Sequence, residues 1–117
     1  MKEDIRNRWT AALRSGKYSQ VKGQLIKDGG FCCLGVLCDL HSIETGRPWI
    51  GSAYLGVAHS LPEMVLRWAG LKPNEPNVHV MNKPVNYVDL EETTLITLND
   101  EDGWDFDQIA NIIEEEL

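Results

Sequence analysis

Hydrophobic residues recur at helical spacing near both ends of the chain and predict one amphipathic helix at each end. In the first, from about Asp4 to Ser15, they fall at positions i, i+4, i+7 and i+8 and form one stripe. The second begins at Asp105-Phe106-Asp107-Gln108, which has the form of a capping box. We expect each helix to lay one face on a core. The stripes consist of Ile5, Trp9, Ala12 and Leu13, and of Phe106, Ile109, Ala110, Ile113 and Leu117.

The segment from Phe31 to His41 has a different pattern, because its apolar residues occur on both sides of a helix. Such a helix is surrounded by protein rather than lying on the surface. Gly35 lies inside it, where glycine costs about 1 kcal/mol of helix propensity relative to alanine. An internal glycine at this cost indicates close approach of another element. The sequence therefore predicts a buried central helix at about 31–41.

Turn residues divide the first two thirds of the chain into shorter elements. Asp28-Gly29-Gly30 predicts a tight turn, because Asp-Gly readily adopts positive φ. The glycines and aromatic residues from 42 to 60 indicate an ordered loop or a short hairpin. Ser60-Leu61-Pro62-Glu63 has the form of a capping box and predicts a helix to about Ala69.

The region after this helix is less regular. Asn77 to Met81 predicts a short strand, and residues 90–98 fit a helix and a strand equally well. Together the patterns predict an α+β fold with four to five helices around the central helix and a minor β hairpin or small sheet. Residues 1–117 are expected to form a single globular domain.

Composition places the chain among ordinary soluble proteins. Of its 117 residues, 43% are hydrophobic and 25% are charged, which is typical of globular domains. No apolar run approaches the roughly 20 residues of a membrane span, and the N-terminus predicts a charged helix rather than a signal peptide. Three cysteines form no disulfide framework and favour a reducing, cytoplasmic location.

Charge is distributed unevenly along the chain. Residues 1–88 carry a balance of +4, whereas residues 89–117 carry 11 acidic residues and no basic one. The acidic end can fold against the basic end, or it can present an acidic surface to a basic partner protein. Direct binding of nucleic acid by the acidic end is not expected, because phosphates would repel it.

The cysteines at the start of the central helix are candidate nucleophiles. A helix N-terminus favours a thiolate, and a cysteine hydrolase of the papain type needs a histidine and a polar orienting residue as well. Cys32 or Cys33, followed by His59 or His79 and then by Asn99 or Asp100, supplies that order. The alternative is that these cysteines are small hydrophobic residues of the core.

Metal binding and cofactor binding are not expected. Cys38 and His41 are three residues apart on one helix face, but a structural zinc site needs two more ligands and no second pair is present. His41 is expected instead to cap the end of the helix. The chain also lacks both glycine-rich patterns that hold nucleotide phosphates.

A small anionic ligand remains as a candidate. Arg14, Tyr18 and Gln20 lie beside the Ser15-Gly16 turn, where a guanidinium and an aromatic ring can hold an anion, and Trp49 and Tyr54 of the 42–60 loop can line the same site. Alternatively, the basic residues of the first 27 positions pair with the acidic end of the chain.

A set of short motifs resembles small uncharacterised proteins encoded by bacteriophages and prophages. The resemblance covers most of the chain and weakens at 43–54 and 72–88. No functional residue follows from it. The motifs are Arg8-Trp9, Ala12-Leu13-Arg14-Ser15-Gly16, Tyr18-Ser19-Gln20, Gly23, Leu25, Phe31 to Leu40, Leu61-Pro62, Trp68-Ala69-Gly70-Leu71, Leu98-Asn99-Asp100 and Phe106-Asp107-Gln108-Ile109-Ala110.

The resemblance implies an accessory protein that acts on a host system in the host cytoplasm, by binding rather than by catalysis. We prefer the hypothesis that it sequesters a small anionic, nucleotide-like ligand. The alternatives are an acidic inhibitor that occupies a basic surface of a host protein, and a cysteine hydrolase. The sequence leaves the formation of a homo-oligomer open.

Overall fold

The computed structural model describes residues 1–72, 77–80 and 91–117, with the backbone alone for 77–80 and 91–93. These residues form an α+β fold, as predicted, with five helices and four short strands paired antiparallel as β1–β2 and β3–β4. The helices are α1 (Glu3–Arg14), α2 (Cys33–Thr45), α3 (Glu63–Ala69), α4 (Leu95–Asp100) and α5 (Phe106–Glu116), and the strands are β1 (Ile26–Lys27), β2 (Gly30–Phe31), β3 (Asn77–Val80) and β4 (Glu91–Thr94).

Helix α2 is the predicted central helix, although it starts two residues later and ends four residues later than expected. Every residue from Cys33 to Cys38 is buried. The prediction of close approach at Gly35 is confirmed, because a Cβ at this position would lie 1.9 Å from the carbonyl oxygen of Leu25. Trp9 of α1 also donates a hydrogen bond from Nε1 to the carbonyl of Cys33, at 2.9 Å. Backbone and side chains thus enclose the first half of α2.

The two terminal helices lie where their apolar stripes predicted. The buried residues of α1 include Ile5, Trp9 and Leu13, and α1 packs against α5. Asp105 caps α5 through the predicted capping box, in which its carboxylate accepts from the backbone N–H of Gln108 and the Gln108 side chain accepts from the N–H of Asp105. The terminal helices therefore close one side of the core.

One predicted helix start needs correction, and the open assignment of residues 90–98 is resolved. Helix α3 ends near Ala69 as expected, but Ser60 does not cap it: the N-cap position is occupied by Pro62, and no side chain caps the helix. The extended backbone of Pro62 puts the first helical residue at Glu63, which leaves Ser60 two residues before the N-cap position. Residues 91–100 combine both predicted structures, since strand β4 ends at Thr94 and the Thr94 hydroxyl then caps α4.

The loop from 46 to 60 is ordered by two consecutive tight turns. Ile50 pairs with Ala53, and Tyr54 pairs with Val57, each through backbone hydrogen bonds in both directions. The loop also reaches the core, because Leu25 donates its backbone N–H to the carbonyl of Ala58. Of the two alternatives predicted for this region, the ordered loop is present, closed by two isolated antiparallel bridges.

Substitution of Gly35 by alanine tests the contact with Leu25. Helix propensity alone predicts a gain of about 1 kcal/mol. The added methyl group would meet the Leu25 backbone, so we expect instead a loss of about 1–3 kcal/mol, as for other overpacked cores. The measurement is the free energy of unfolding in urea.

Asn7→Ala is the control, because Asn7 is exposed on α1 and its substitution changes propensity without a core contact. We expect this variant to be slightly more stable than the parent. A Gly35→Ala protein as stable as the parent would contradict the proposed close contact.

Candidate functional site

The candidate nucleophiles are buried. Cys32 is 6% exposed, and Cys33 and Cys38 are fully buried. Burial raises the pKa of Cys32 to about 11, even though nearby backbone N–H groups, including that of Gly35, act to lower it. Burial also raises the pKa of the other two thiols. The helix N-terminus is present as expected, but the loss of solvation at this position disfavours a thiolate.

The histidines lie apart from these thiols. His41 Nδ1 is 2.6 Å from the hydroxyl of Tyr54, and the exposed His59 contacts the carbonyl of Gly23 through Nδ1. His41 therefore does not cap the end of α2, which continues for another turn. The side chain of His79 lies outside the described residues. Among the side chains that are described, no histidine nitrogen bonds to a cysteine sulfur.

Asn99, the candidate orienting residue, joins three parts of the chain. Its Oδ1 accepts from Gln20 Nε2 at 2.8 Å and from the backbone N–H of Cys33 at 3.3 Å. Its Nδ2 donates to the carbonyl of Val21 at 2.9 Å and to the carboxylate of Asp100. The side chain is 1% exposed and its hydrogen-bonding capacity is used. This arrangement is that of a structural crosslink.

The five residues predicted to bind an anion divide into separate groups. Arg14 lies against α5, where its guanidinium binds Glu114 and Asn111. Gln20 takes part in the Asn99 crosslink and also donates to the carbonyl of Trp104. Neither side chain is directed to the loop that carries the predicted aromatic residues.

Tyr18, Trp49 and Tyr54, by contrast, are brought together along α2. The carboxylate of Asp39 accepts from the Tyr18 hydroxyl at 2.6 Å and from Trp49 Nε1 at 3.1 Å. The ring of Phe31 lies edge-on between Tyr18 and Trp49, and Trp49 contacts Tyr54 with ring centroids 5.0 Å apart. Burial, followed by the bond to Asp39, raises the pKa of Tyr18. These rings anchor the 46–60 loop to the core.

Two surface grooves are lined in part by residues of this loop and share Leu55. The first, which we call the loop groove, has a volume of about 270 Å³, and the second, the helix groove, has a volume of about 480 Å³. Exposed apolar side chains border them, with Ile50 77% exposed and Met64 45% exposed. The loop groove is lined by Arg47, Pro48, Ile50, Ala53, Leu55 and Gly56, and the helix groove by Leu55, Val57, Pro62, Glu63, Met64 and Arg67.

Comparison with known proteins gives a family but no activity. The family model described as a domain of unknown function (DUF8296) matches residues 1–117. The chain belongs to this family. A search of curated proteins and a search of solved structures each returned no match. Within the described residues, no helix is long and apolar enough to cross a membrane.

The backbone of Leu55 is strained. The turn Tyr54-Leu55-Gly56-Val57 has φ values of 50° at Leu55 and 83° at Gly56, which are those of a type I′ turn. The β1–β2 hairpin adopts nearly the same angles at Asp28 and Gly29, two residue types that favour them. Leucine has no such preference, and left-handed backbone costs it about 1–2 kcal/mol. The strained residue is the one that both grooves share.

Arg47 is the cation of the loop groove. Its backbone is held at the end of α2, where its carbonyl accepts from the Ser42 hydroxyl and its N–H contacts Thr45 Oγ1. Its guanidinium makes no ion pair with any residue that the structure describes. Arg67 of the helix groove differs, because it pairs with Glu63 at 2.6 Å.

The sequence pattern did not predict Arg47, Leu55 or the grooves. Arg47 is a single charge in a glycine-rich loop, and Leu55 carries no motif. Gly56 indicates a turn at Leu55-Gly56, but it fits a type II turn, in which Leu55 has negative φ, as well as the type I′ turn that the structure shows.

Thiol reactivity tests the burial of the cysteines. We expect the folded protein to react slowly with a thiol-specific reagent at pH 7.5, because the raised pKa values leave little thiolate and the sulfur atoms are inaccessible. Three thiols per chain should react once the protein is unfolded in urea. A thiol that reacts rapidly in the folded protein would restore the hydrolase hypothesis.

Substitution of Asn99 by alanine tests the crosslink. The loss of its four hydrogen bonds leaves the Cys33 N–H and the Val21 carbonyl without this partner, and we expect the free energy of unfolding to fall by about 2 kcal/mol or more. Asn111→Ala, which removes an exposed amide bonded to Arg14, should cost less than about 1 kcal/mol. Unchanged stability in Asn99→Ala would favour a role in chemistry over a structural one.

Proposed function

We propose that this protein acts by binding, and that its ligand is a small anion with an apolar part, of which a nucleotide is the class we favour. The ligand lies in the loop groove, against Leu55, with its charge at Arg47. The observation that carries this proposal is the left-handed backbone of Leu55 in the groove. Strain of this kind is concentrated at ligand sites, where the fold holds a side chain in a position that local preference opposes.

The shape and lining of the grooves support a ligand of this size. Small-molecule sites have volumes of about 300–1,000 Å³ and are mostly apolar with a few polar groups. The helix groove, at about 480 Å³, falls in this range, and the loop groove, at about 270 Å³, lies just below it. Their linings are apolar apart from Glu63 and two arginines. An apolar group can therefore lie on Leu55 while an anionic group reaches the rim.

The charge at the rim supports an anion. The guanidinium of Arg47 is exposed and makes no ion pair within the described residues, so an incoming anion does not have to displace a carboxylate. Arg67 offers a second cation, although its pairing with Glu63 reduces its contribution. A planar guanidinium can bind a phosphate through two parallel hydrogen bonds.

The resemblance to small bacteriophage and prophage proteins supports a place for such binding. A phage-type accessory protein that holds a signalling nucleotide would lower its concentration in the host cytoplasm. The buried thiols fit a role that requires no covalent chemistry by this protein.

The other two hypotheses have less support. An acidic inhibitor needs the carboxylates of the C-terminal region for its partner, yet Glu114 is bound by Arg14 and Asp105 caps α5. A cysteine hydrolase needs a thiolate beside a histidine, and the surroundings of Cys32 and Cys33 oppose one.

A ligand panel tests the proposal. The melting temperature is measured with cyclic and linear mononucleotides and dinucleotides. Inorganic phosphate is the comparison, because it is an anion without an apolar part. We expect at least one nucleotide to raise the melting temperature in a concentration-dependent way, because a ligand that binds only the folded state stabilises it. No shift across the panel would overturn the proposal.

Two substitutions then locate the site. Arg47→Gln removes the charge, and Leu55→Asn replaces the apolar side chain by one that accepts the left-handed backbone. We expect both variants to lose at least about tenfold in affinity, while Leu55→Asn keeps its stability within about 1 kcal/mol of the parent because relief of strain offsets lost packing. Lys27→Gln, an exposed charge on β1, is the matched control. Parental affinity in both variants would exclude this groove.

A further inference from the structure

A buried histidine lies directly behind the loop groove. His41 is 2% exposed, and its Nδ1 is 2.6 Å from the hydroxyl of Tyr54, the residue that precedes Leu55. Its ring also lies edge-on to the ring of Trp68 on α3, with centroids 5.0 Å apart. The imidazole is therefore fixed between the loop and α3, without bulk solvent around it.

The same histidine is connected to Arg47 through the end of α2. Thr45 Oγ1 donates to the carbonyl of His41 at 2.7 Å and contacts the backbone N–H of Arg47, while Ser42 Oγ donates to the Arg47 carbonyl. These bonds hold the last turn of α2 and Arg47 as one unit. The backbone of Arg47, from which the cation of the groove extends, is thereby fixed to the turn of α2 that follows His41.

Two charged residues, one near the end of α2 and one just after it, act on His41 in opposite directions. Arg47 opposes an imidazolium and Glu44 favours one, but the Glu44 carboxylate is already engaged by Arg8 and by Trp68 Nε1. Burial, followed by the charge of Arg47, lowers the pKa of His41 below 6.5. Within the described part of the chain, Cys38 and Asp39 are further titratable groups that act on the Tyr54 hydroxyl, the partner of His41.

We propose that binding of an anion at Arg47 is coupled to uptake of a proton by His41, so that the ligand binds more tightly as the pH falls below neutrality. This inference rests on the proposed function, because the anion is the ligand of the loop groove. An anion on the guanidinium cancels the positive charge that opposes the imidazolium. Coupling between two binding events is reciprocal, so the proton strengthens the anion in turn.

In the free protein, protonation of His41 has the opposite effect: it lowers the free energy of unfolding. A histidine with a lowered pKa binds its proton more weakly in the folded state than in the unfolded state. Its contribution to stability is therefore complete above about pH 6.5 and is lost as the pH falls. Ligand and proton together recover part of this loss, and this distinguishes the coupling from general acid destabilisation.

The first experiment uses the free protein. The pKa of His41 is measured by NMR in the parent and in Arg47→Gln, and we expect a higher value in the variant because a nearby cation is removed. Arg67→Gln, which removes the arginine paired with Glu63, should leave it nearly unchanged. An identical His41 pKa in parent and Arg47→Gln would overturn the coupling whatever the ligand does.

The second experiment uses 3′,5′-cyclic AMP as the probe, because its phosphodiester keeps one charge throughout the range. The affinity is measured by calorimetric titration at pH 7.5 and pH 5.5, and we expect it to be about three- to tenfold higher at pH 5.5. Uptake of one proton per ligand limits this increase to about tenfold per pH unit. Titrations in buffers of different ionisation enthalpy at pH 5.5 should show net proton uptake.

Substitution variants show whether the proton coupling or the ligand binding itself is wrong. His41→Gln should remove the pH dependence, and His59→Gln, which alters an exposed histidine away from Arg47, should retain it. If His41→Gln does not fold, Arg47→Gln in the free-protein measurement still decides. Binding with the same affinity at both pH values would overturn this inference alone. Absence of binding at both values would overturn it together with the binding of cyclic AMP in the loop groove.

Discussion

The close contact between Gly35 and the carbonyl of Leu25 is the constraint on which the rest of the structure depends. A backbone lies so near to α2 at this point that no side chain fits between them. The same segment pairs with Cys32 and with Ala58 through backbone hydrogen bonds, so α2, the β1–β2 region and the 46–60 loop are held at fixed distances. Burial of the first half of α2 on all sides follows from this arrangement.

Enclosure of α2 also affects the protonation of its cysteines. Sulfur atoms at the start of a helix can become thiolates, but at this helix start the low polarity of the surroundings outweighs the backbone N–H groups and keeps Cys32 protonated. Asn99 completes the enclosure by binding the Cys33 N–H and the Val21 carbonyl. Residues that look catalytic in the sequence are thus used to stabilise the fold.

The second half of α2 supports the surface instead. Three of its side chains form hydrogen bonds to the polar groups of aromatic residues. Asp39 accepts from Tyr18 and Trp49, His41 contacts the hydroxyl of Tyr54, and Glu44 accepts from Trp68. These contacts hold the 46–60 loop firmly enough to keep leucine in a left-handed turn. The loop groove, its strained residue and its arginine therefore take their positions from the core.

The sequence by itself determined the elements whose signals are local: the stripes of α1 and α5, the capping box at Asp105, the Asp28-Gly29 turn and the α+β class. It also predicted that something must approach Gly35. Tertiary structure alone decided that this partner is Leu25, that Arg14 turns to α5 and Gln20 to Asn99, and that Arg47 and Leu55 meet in one groove. Spacing along a helix fixes which face is apolar, whereas the partner of a side chain depends on contacts between residues as far apart as Arg14 and Glu114, which no local pattern encodes.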